Sequence, residues 1–243
     1  MTQIFGHRGS AGTHPENTMM SFQEAERVGA DGIELDVQLS KDGEMVIIHD
    51  EKVDRTTDGK GWVKDLTLKE LRQLDASYKF SYNERCIIPS LEELFSWASP
   101  NSLLINVELK NTVVLYEGLE EKVIQLIRNY HMENRVIISS FNHYSLVKCR
   151  NIAPDIEIGA LYSDGLFEPW HYATRIGAGA LHPNYKAAPP EIISQSQLNG
   201  IKMRPYTVNK VEDMKKLFSV NCSGFFTDFP ERAVLLKPKN RPQ

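Results

Sequence analysis

Residues Gly32–Asp50 read GIELDVQLSKDGEMVIIHD, and the stretch opens on an alternation of apolar and acidic side chains. In a β-strand a period of two puts Glu34 and Asp36 on one face and Ile33, Leu35 and Val37 on the other. Neighbouring carboxylates repel, and neither strand propensity nor burial favours them. A divalent cation between them removes the objection, because hard oxygen ligands suit Mg²⁺ or Ca²⁺. The chain then turns through Ser40-Lys41-Asp42-Gly43, where Asp-Gly is a strong hairpin signal. It returns as Met45-Val46-Ile47-Ile48 and delivers His49 and Asp50 at the strand end. Such a hairpin brings an acidic pair and a histidine into one neighbourhood. The plainer alternative is a strand with solvated acids and a surface histidine.

The amino terminus speaks against the plainer alternative. Gln3-Ile4-Phe5-Gly6 reads as a short first strand ending in His7-Arg8-Gly9, so a second histidine sits at a second strand end, beside an arginine. Pro15-Glu16-Asn17-Thr18 supplies a helix start, with Asn17 or Thr18 as cap, and Met19, Phe22, Ala25 and Val28 follow at helical spacing. Taken together, HRG, PENT, the ELDVQLSKDG…HD run and DRTTDGKG resemble the signature of glycerophosphodiester phosphodiesterases. The likeness continues in order through IPSLEEL, NVELK, SSFN, YTVN and TDFP, so it covers nearly the whole chain.

Bulk properties narrow the field independently. At 243 residues the chain can form one large domain, and α/β barrels often reach this size undivided. Hydrophobic residues at 41% and charged residues at 25% are ordinary for a soluble globular protein. A formal charge of −4 gives no field to gather nucleic acid or anionic membranes. Cys86, Cys149 and Cys222 are odd in number and far apart, which fits a reducing compartment and neither a disulfide framework nor a metal cluster. No basic-then-apolar leader opens the chain, and no run approaches the ~20 apolar residues of a membrane span. A cytoplasmic location is therefore expected. Nothing in the sequence sets the oligomeric state.

Beyond His49, residues 51–89 are the least barrel-like part. Asp54-Arg55-Thr56-Thr57-Asp58-Gly59-Lys60-Gly61 is loop chemistry, and Thr67 with Glu70 forms a capping box into a short helix. This region is expected to be a small excursion above the barrel, and the resemblance implies a compact insertion at the same place. Strands are then expected at 103–109, 135–139, 157–162, 178–182, 202–207 and 223–227. Helices are expected at 113–130, 144–151, 169–176, 190–198, 211–218 and 231–236. With the first two strands this makes about eight βα units, the count of a TIM (β/α)8 barrel. A doubly wound sheet alternates in the same way, but no G-x-G-x-x-G follows the first strand, and polar residues recur at strand ends. The expectation is one barrel over 1–243 with a frayed tail after Pro238.

In a TIM barrel the chemistry gathers at the carboxyl ends of the strands. His7 and Arg8 end the first strand, Glu34 and Asp36 lie on the second, and His49 ends its hairpin. The strand Ile105–Lys110 places Asn106, Glu108 and Lys110 on one face. Glu34, Asp36 and Glu108 can make an incomplete oxygen cage for one cation, leaving room for water and a phosphate oxygen. Arg8, by a bidentate fork, and Lys110, as a point charge, suit the anionic phosphodiester. The alternatives are a Glu108–Lys110 ion pair and an Arg8 paired with a carboxylate such as Glu34, and both can coexist with the binding roles. Imidazole titrates near working pH, so His7 and His49 suit general acid–base work, and the resemblance makes them the matching catalytic pair. His182 is a plausible pocket-liner. Relatives in that family usually carry tryptophan where this chain has Tyr206, so the substrate preference is open to change there.

The function these readings imply is hydrolysis of small glycerophosphodiesters to glycerol phosphate and an alcohol, with one Mg²⁺ or Ca²⁺. Attack by the substrate's own glycerol hydroxyl and direct attack by water both remain open. One rival is a phospholipase acting on lysolipids, sphingolipids or phosphoinositides, which would show an apolar contact loop or a secretory signal. Another is a non-catalytic phosphate-ligand sensor on a degenerate barrel, which would have lost a histidine or carboxylate. The segments expected at the mouth, such as His7-Arg8-Gly9-Ser10 and Asn142-His143, are polar, and favour deacylated diesters.

Overall fold

In a computed structural model of the chain, which describes residues 1–77, 80 and 85–238, the period-two alternation becomes an inside and an outside. The tail expected to fray and residues 78–79 and 81–84 of the expected insertion lie outside the described residues. The strands are β1 (Gln3–Gly6), β2 (Gly32–Leu39), β3 (Met45–Ile47), β4 (Leu104–Leu109), β5 (Val136–Ser140), β6 (Glu157–Tyr162), β7 (Ala180–Pro183), β8 (Lys202–Met203) and β9 (Gly224–Thr227). Hydrogen bonding runs in the order β8-β7-β6-β5-β4-β2-β1-β9, and β3 hangs on β2. Every neighbouring pair along that path is parallel, and β3 alone runs antiparallel to its partner. The ring nearly closes beyond β8, where the Phe226 N–H donates to the Pro205 carbonyl (3.0 Å) and the Val208 N–H to the Phe226 carbonyl (2.8 Å). This is the expected TIM barrel.

The α-helices among the described residues are α1 (Met19–Arg27), α2 (Leu68–Leu71), α3 (Leu91–Ala98), α4 (Leu119–Asn129), α5 (His143–Ile152), α6 (Pro169–Ile176), α7 (Pro190–Leu198), α8 (Val211–Ser219) and α9 (Pro230–Leu236). Ile33, Leu35, Val37, Ile105, Val107 and Leu109 point outward into one large core with helix residues such as Phe22, Leu94, Phe95, Val123 and Ile127. Removal of this surface from water, at about 25 cal/mol per Å² of apolar area, is what holds helices to sheet. Of the two candidates for the α1 cap, Thr18 fills the place, and Thr67/Glu70 forms the expected capping box on α2; Ser90/Glu93 forms a further box on α3. Residues between β3 and α3 build a second small core from Val53, Val63, Leu71, Ala76, Cys86 and Ile88 against Val46 and Ile48. Among the described residues, no helix is long and apolar enough to cross a membrane.

Two elements differ from expectation. Helix α4 begins at Leu119 and not near Val113, because Gly118 turns with φ +78° and the preceding residues form a loop over the barrel end. Strand β8 stops at Met203, and beyond it the Arg204 N–H donates to the Leu181 carbonyl (2.9 Å), the Tyr206 N–H donates to the Pro183 carbonyl (2.9 Å), and Tyr206 forms an isolated bridge to Asn184.

The barrel interior carries few apolar groups: Phe5, Ile137 and Phe226, with Leu104 and Tyr206 against them. Below the functional end, charge fills it. The Arg204 guanidinium, 2% exposed, donates to Glu157 Oε1 at 2.6 Å, and Lys202 pairs with the same carboxylate. His182 is wholly buried beside Arg204 and packs on Phe226, so it does not line the mouth. Gly159 makes room for it, since a Cβ there would lie 2.4 Å from His182 Cε1. Burial raises the Glu157 pKa, but Arg204 and Lys202 outweigh it and hold the carboxylate below its usual range. Such a group contributes stability above its unfolded-state pKa and loses it as pH falls through the folded value.

Glu157→Gln should therefore cost about 3 kcal/mol of unfolding free energy near neutral pH, since it leaves Arg204 buried without its counter-charge. The gap to wild type should narrow as the solution is acidified through the carboxylate range. Urea titrations at several pH values read both effects, and a constant gap would show that the pair is not the source.

Candidate active site

Seven ionisable side chains on or beside β1, β2, β3 and β4 meet at the carboxyl end of the barrel. They are His7, Arg8, Glu34, Asp36, His49, Glu108 and Lys110, all eight expected positions but Tyr206, which closes the far wall. The β2–β4 register sets Asp36 opposite Glu108, so alternation in two neighbouring strands stacks their acids on the same inner face. Glu34, Asp36 and Glu108 each offer an oxygen within 4.8 Å of the others. They are 4%, 1% and 9% exposed, so water does little to relieve their repulsion.

The surroundings relieve it only in part. Glu34 Oε2 accepts the Arg8 backbone N–H (2.8 Å), Asp36 Oδ2 accepts from Asn17 Nδ2 (2.8 Å), and Glu108 Oε1 accepts from Lys110 Nζ (2.9 Å). Glu34 Oε1 and Asp36 Oδ1 are buried with no hydrogen-bond partner. Burial, and then Asp36 and Glu108, push Glu34 well above the usual carboxylate range, and burial raises Glu108 as well. Burial also works against Asp36, yet Arg8, His49 and Lys110 bring it down to about 2. A cluster with two orphaned oxygens and an acid driven towards protonation is a set of donors fit for a hard divalent cation.

The two histidines have matching supports. His7 Nδ1 lies 2.7 Å from Asp228 Oδ1, and Asp228 Oδ2 in turn accepts from Asn209 Nδ2 (2.6 Å). His49 Nδ1 lies 2.6 Å from Asp50 Oδ1. Each carboxylate accepts from Nδ1–H and so turns Nε2 towards the cavity. His49 Nε2 is 3.2 Å from Lys110 Nζ, and burial lowers the His49 pKa, so the ring rests uncharged at neutral pH. Arg8, at φ +52°, bends back so that Nη1 donates to Glu16 Oε1 (2.7 Å) while Nε stays 3.5 Å from Asp36.

His7, Arg8, Glu34, His49 and Glu108 line a cavity of about 190 Å³ with Asn106, Phe141, Leu161, Tyr206, Thr207 and Phe226. Tyr206 meets Phe141 edge to face at 5.9 Å and donates its hydroxyl to the Tyr162 carbonyl at 3.1 Å, so the phenol is tied to the wall. A cavity of similar size between α7 and α8, lined by Ile193, Val208 and Leu217, has neither histidine nor paired acids and offers no comparable chemistry. Val113 and Leu115 in the segment after β4, Tyr144 in the first turn of α5 and Phe167 in the segment after β6 are 65%, 78%, 91% and 91% exposed.

Several participants escape a reading of the sequence. Asn17 is not a helix cap but a ligand of Asp36, at φ +57°. Asp50 was visible beside His49, whereas Asp228, Glu16 and Arg55 come from distant turns, with nothing local to announce them.

Comparison with known proteins agrees with this geometry. Residues 7–232 match the model of the glycerophosphoryl diester phosphodiesterase family. The chain is 49% identical over 241 residues to a glycerophosphodiester phosphodiesterase of Caldanaerobacter subterraneus subsp. tengcongensis, covering 98% of each chain. It is 45% identical to one of Bacillus altitudinis, again covering 98% of each. Its fold also matches a phosphodiesterase of Oleispira antarctica solved with the product sn-glycerol-3-phosphate, with a TM-score of 0.88 and 31% identity over 97% of this chain and 96% of that one. The chain belongs to the glycerophosphoryl diester phosphodiesterase family and is an enzyme, a phosphoric diester hydrolase.

Proposed function

We propose that this enzyme hydrolyses glycerophosphodiesters to glycerol phosphate and an alcohol, with one divalent cation and two histidine proton carriers. The observation that carries the reading is the convergence of an undercompensated acidic triad, two fixed cations and two carboxylate-supported imidazoles on one cavity. Glu34, Asp36 and Glu108 would hold Mg²⁺ or Ca²⁺, whose charge, when bound, stabilises negative charge on the phosphoryl oxygens. Arg8 and Lys110 bind and orient the anionic diester. In-line displacement at phosphorus requires a proton to leave the attacking oxygen on one side and another to reach the leaving alcohol on the other. His7 and His49 carry these protons at Nε2, and Asp228 and Asp50 hold the tautomers that allow it. Tyr206 packs beside the substrate. Three buried, unpaired cysteines suit the cytoplasmic setting we infer.

A cavity of about 190 Å³ suits a small deacylated diester such as glycerophosphocholine or glycerophosphoethanolamine. The exposed Val113, Leu115, Tyr144 and Phe167 favour a second reading, in which a lysolipid acyl chain lies over the β4–β6 side of the mouth. Each methylene it buried would be worth about 0.8 kcal/mol.

Turnover of a glycerophosphodiester panel, with and without chelator, tests the principal reading. Loss on chelation and recovery with Mg²⁺ or Ca²⁺ is expected, and full activity in chelator would remove the cation from the mechanism. Asp36→Asn should weaken cation binding and cut turnover far more than it lowers stability; an Asp36→Asn protein with wild-type metal affinity and rate contradicts the assignment.

His7→Ala and His49→Ala should each lose roughly 10²–10⁴-fold in rate, the usual worth of one positioned proton carrier. Since both serve one step, the double variant should lose much less than the product, and full additivity would assign the rings separate tasks.

Initial rates on glycerophosphocholine and lysophosphatidylcholine at equal free concentration separate the two substrate readings. We expect the deacylated diester to be faster. Faster turnover of the lysolipid would hand the mouth to an acyl chain.

A further inference from the structure

We propose that Arg55 is a positioning residue that sets both Arg8 and His49 through the carboxylates of Glu16 and Asp50. The inference rests on the phosphodiesterase reading of the site and names what governs its two sides. Arg55 closes a one-turn 3₁₀ helix, Val53–Arg55, in the segment after β3, outside the barrel wall. Its guanidinium is 43% exposed and does not line the cavity, so it does not meet the substrate.

Its reach is nevertheless into the site. Arg55 Nη1 and Nη2 donate to Glu16 Oε2 and Oε1 at 2.7 and 2.8 Å. Arg55 Nε and Nη2 donate to Asp50 Oδ2 and Oδ1 at 2.6 and 2.9 Å. Both carboxylates are also bound elsewhere. Glu16 Oε1 accepts from Arg8 Nη1 (2.7 Å), and Asp50 Oδ1 holds His49 Nδ1 (2.6 Å). The result is an unbroken line of charged contacts, Arg8–Glu16–Arg55–Asp50–His49, that bypasses the acidic triad.

The line has two physical consequences. Arg8 stands between Glu16 and the triad, and the pull of Glu16 keeps its Nε at 3.5 Å from Asp36, short of a close pair there. Asp50 shares its charge with Arg55, so its oxygen fixes the His49 ring without becoming a strong sink for the proton that ring must handle. The two carboxylates of the line, Glu16 and Asp50, stay ionised at ordinary pH. Burial resists ionisation of Glu16, but Arg55 and Arg8 bring its pKa down to about 2, and Arg55 and His49 outweigh burial to lower Asp50 as well. A planar fork with fixed donors can grip both oxygens of two carboxylates at once, which the single nitrogen of a lysine cannot.

Kinetics of Arg55→Met and Arg55→Lys test the assignment. Both should lose roughly 10–100-fold in kcat/KM, the usual worth of a partner that orients a functional side chain. Arg55→Gln, which keeps hydrogen bonding at similar bulk, stands in should the methionine variant fold poorly, and thermal melting reports that. The deciding readout is a pair of double-mutant cycles, with His49→Ala and with Arg8→Met. A residue acting through both should show strong non-additivity in each, the Arg55 loss shrinking at least about fivefold in either background. A residue that merely pins the segment would cost the same in every background, and additivity in either cycle overturns the two-armed assignment. The Arg8 cycle is read also as the dissociation constant of inorganic phosphate. A wild-type protein inert to every glycerophosphodiester would sink the functional reading, while an additive phosphate cycle would sink the role of Arg55.

Discussion

Three carboxylates within 4.8 Å of one another, nearly sealed from water, are the constraint to which the rest of this molecule answers. At such a distance unscreened like charges cost several kcal/mol at an effective dielectric of about 20. The fold meets that cost with groups drawn from several elements: the backbone amide of Arg8, the side chain of Asn17 and the ammonium of Lys110. None of these satisfies Glu34 Oε1 or Asp36 Oδ1. The remaining imbalance leaves a set of oxygen donors that could hold a cation.

The division of the barrel into an apolar outside and a charged inside follows from the same strands. Every inward acid of β2 and β4 is matched by an outward Ile, Leu or Val that anchors the strand to the helical layer. Cohesion thus comes from the helix–sheet interface, which leaves the interior free to be polar. The Glu157–Arg204–His182 group under the site is a second instance of the same arrangement.

Most of this architecture was legible in the sequence because it rests on local periodicity. Glu34 and Asp36 fall on one strand face whatever the rest of the chain does, and the Thr67/Glu70 box caps its helix from within four residues. What was not legible depends on closure in space. Arg55 and Glu16 lie 39 positions apart, and His7 and Asp228 lie 221 apart, so no window of sequence contains either pair. The apolar Val113 and Leu115 misled in the opposite sense. They look like the opening of α4, but the turn at Gly118 leaves them ahead of the helix and in contact with solvent.

The contact between His7 and Asp228 joins the first strand to the last. One ring nitrogen at the end of β1 waits for a carboxylate 221 positions further along the chain. A nascent chain carrying the acidic triad, Arg8 and both imidazoles is still chemically unfinished, because the His7 ring, a proton carrier in the function we propose, has no fixed tautomer until β9 seats beside β1. Competence therefore coincides with completion of the barrel. Partly built or carboxyl-truncated chains, which already carry Glu34, Asp36 and Glu108, would then be spectators towards phosphodiesters.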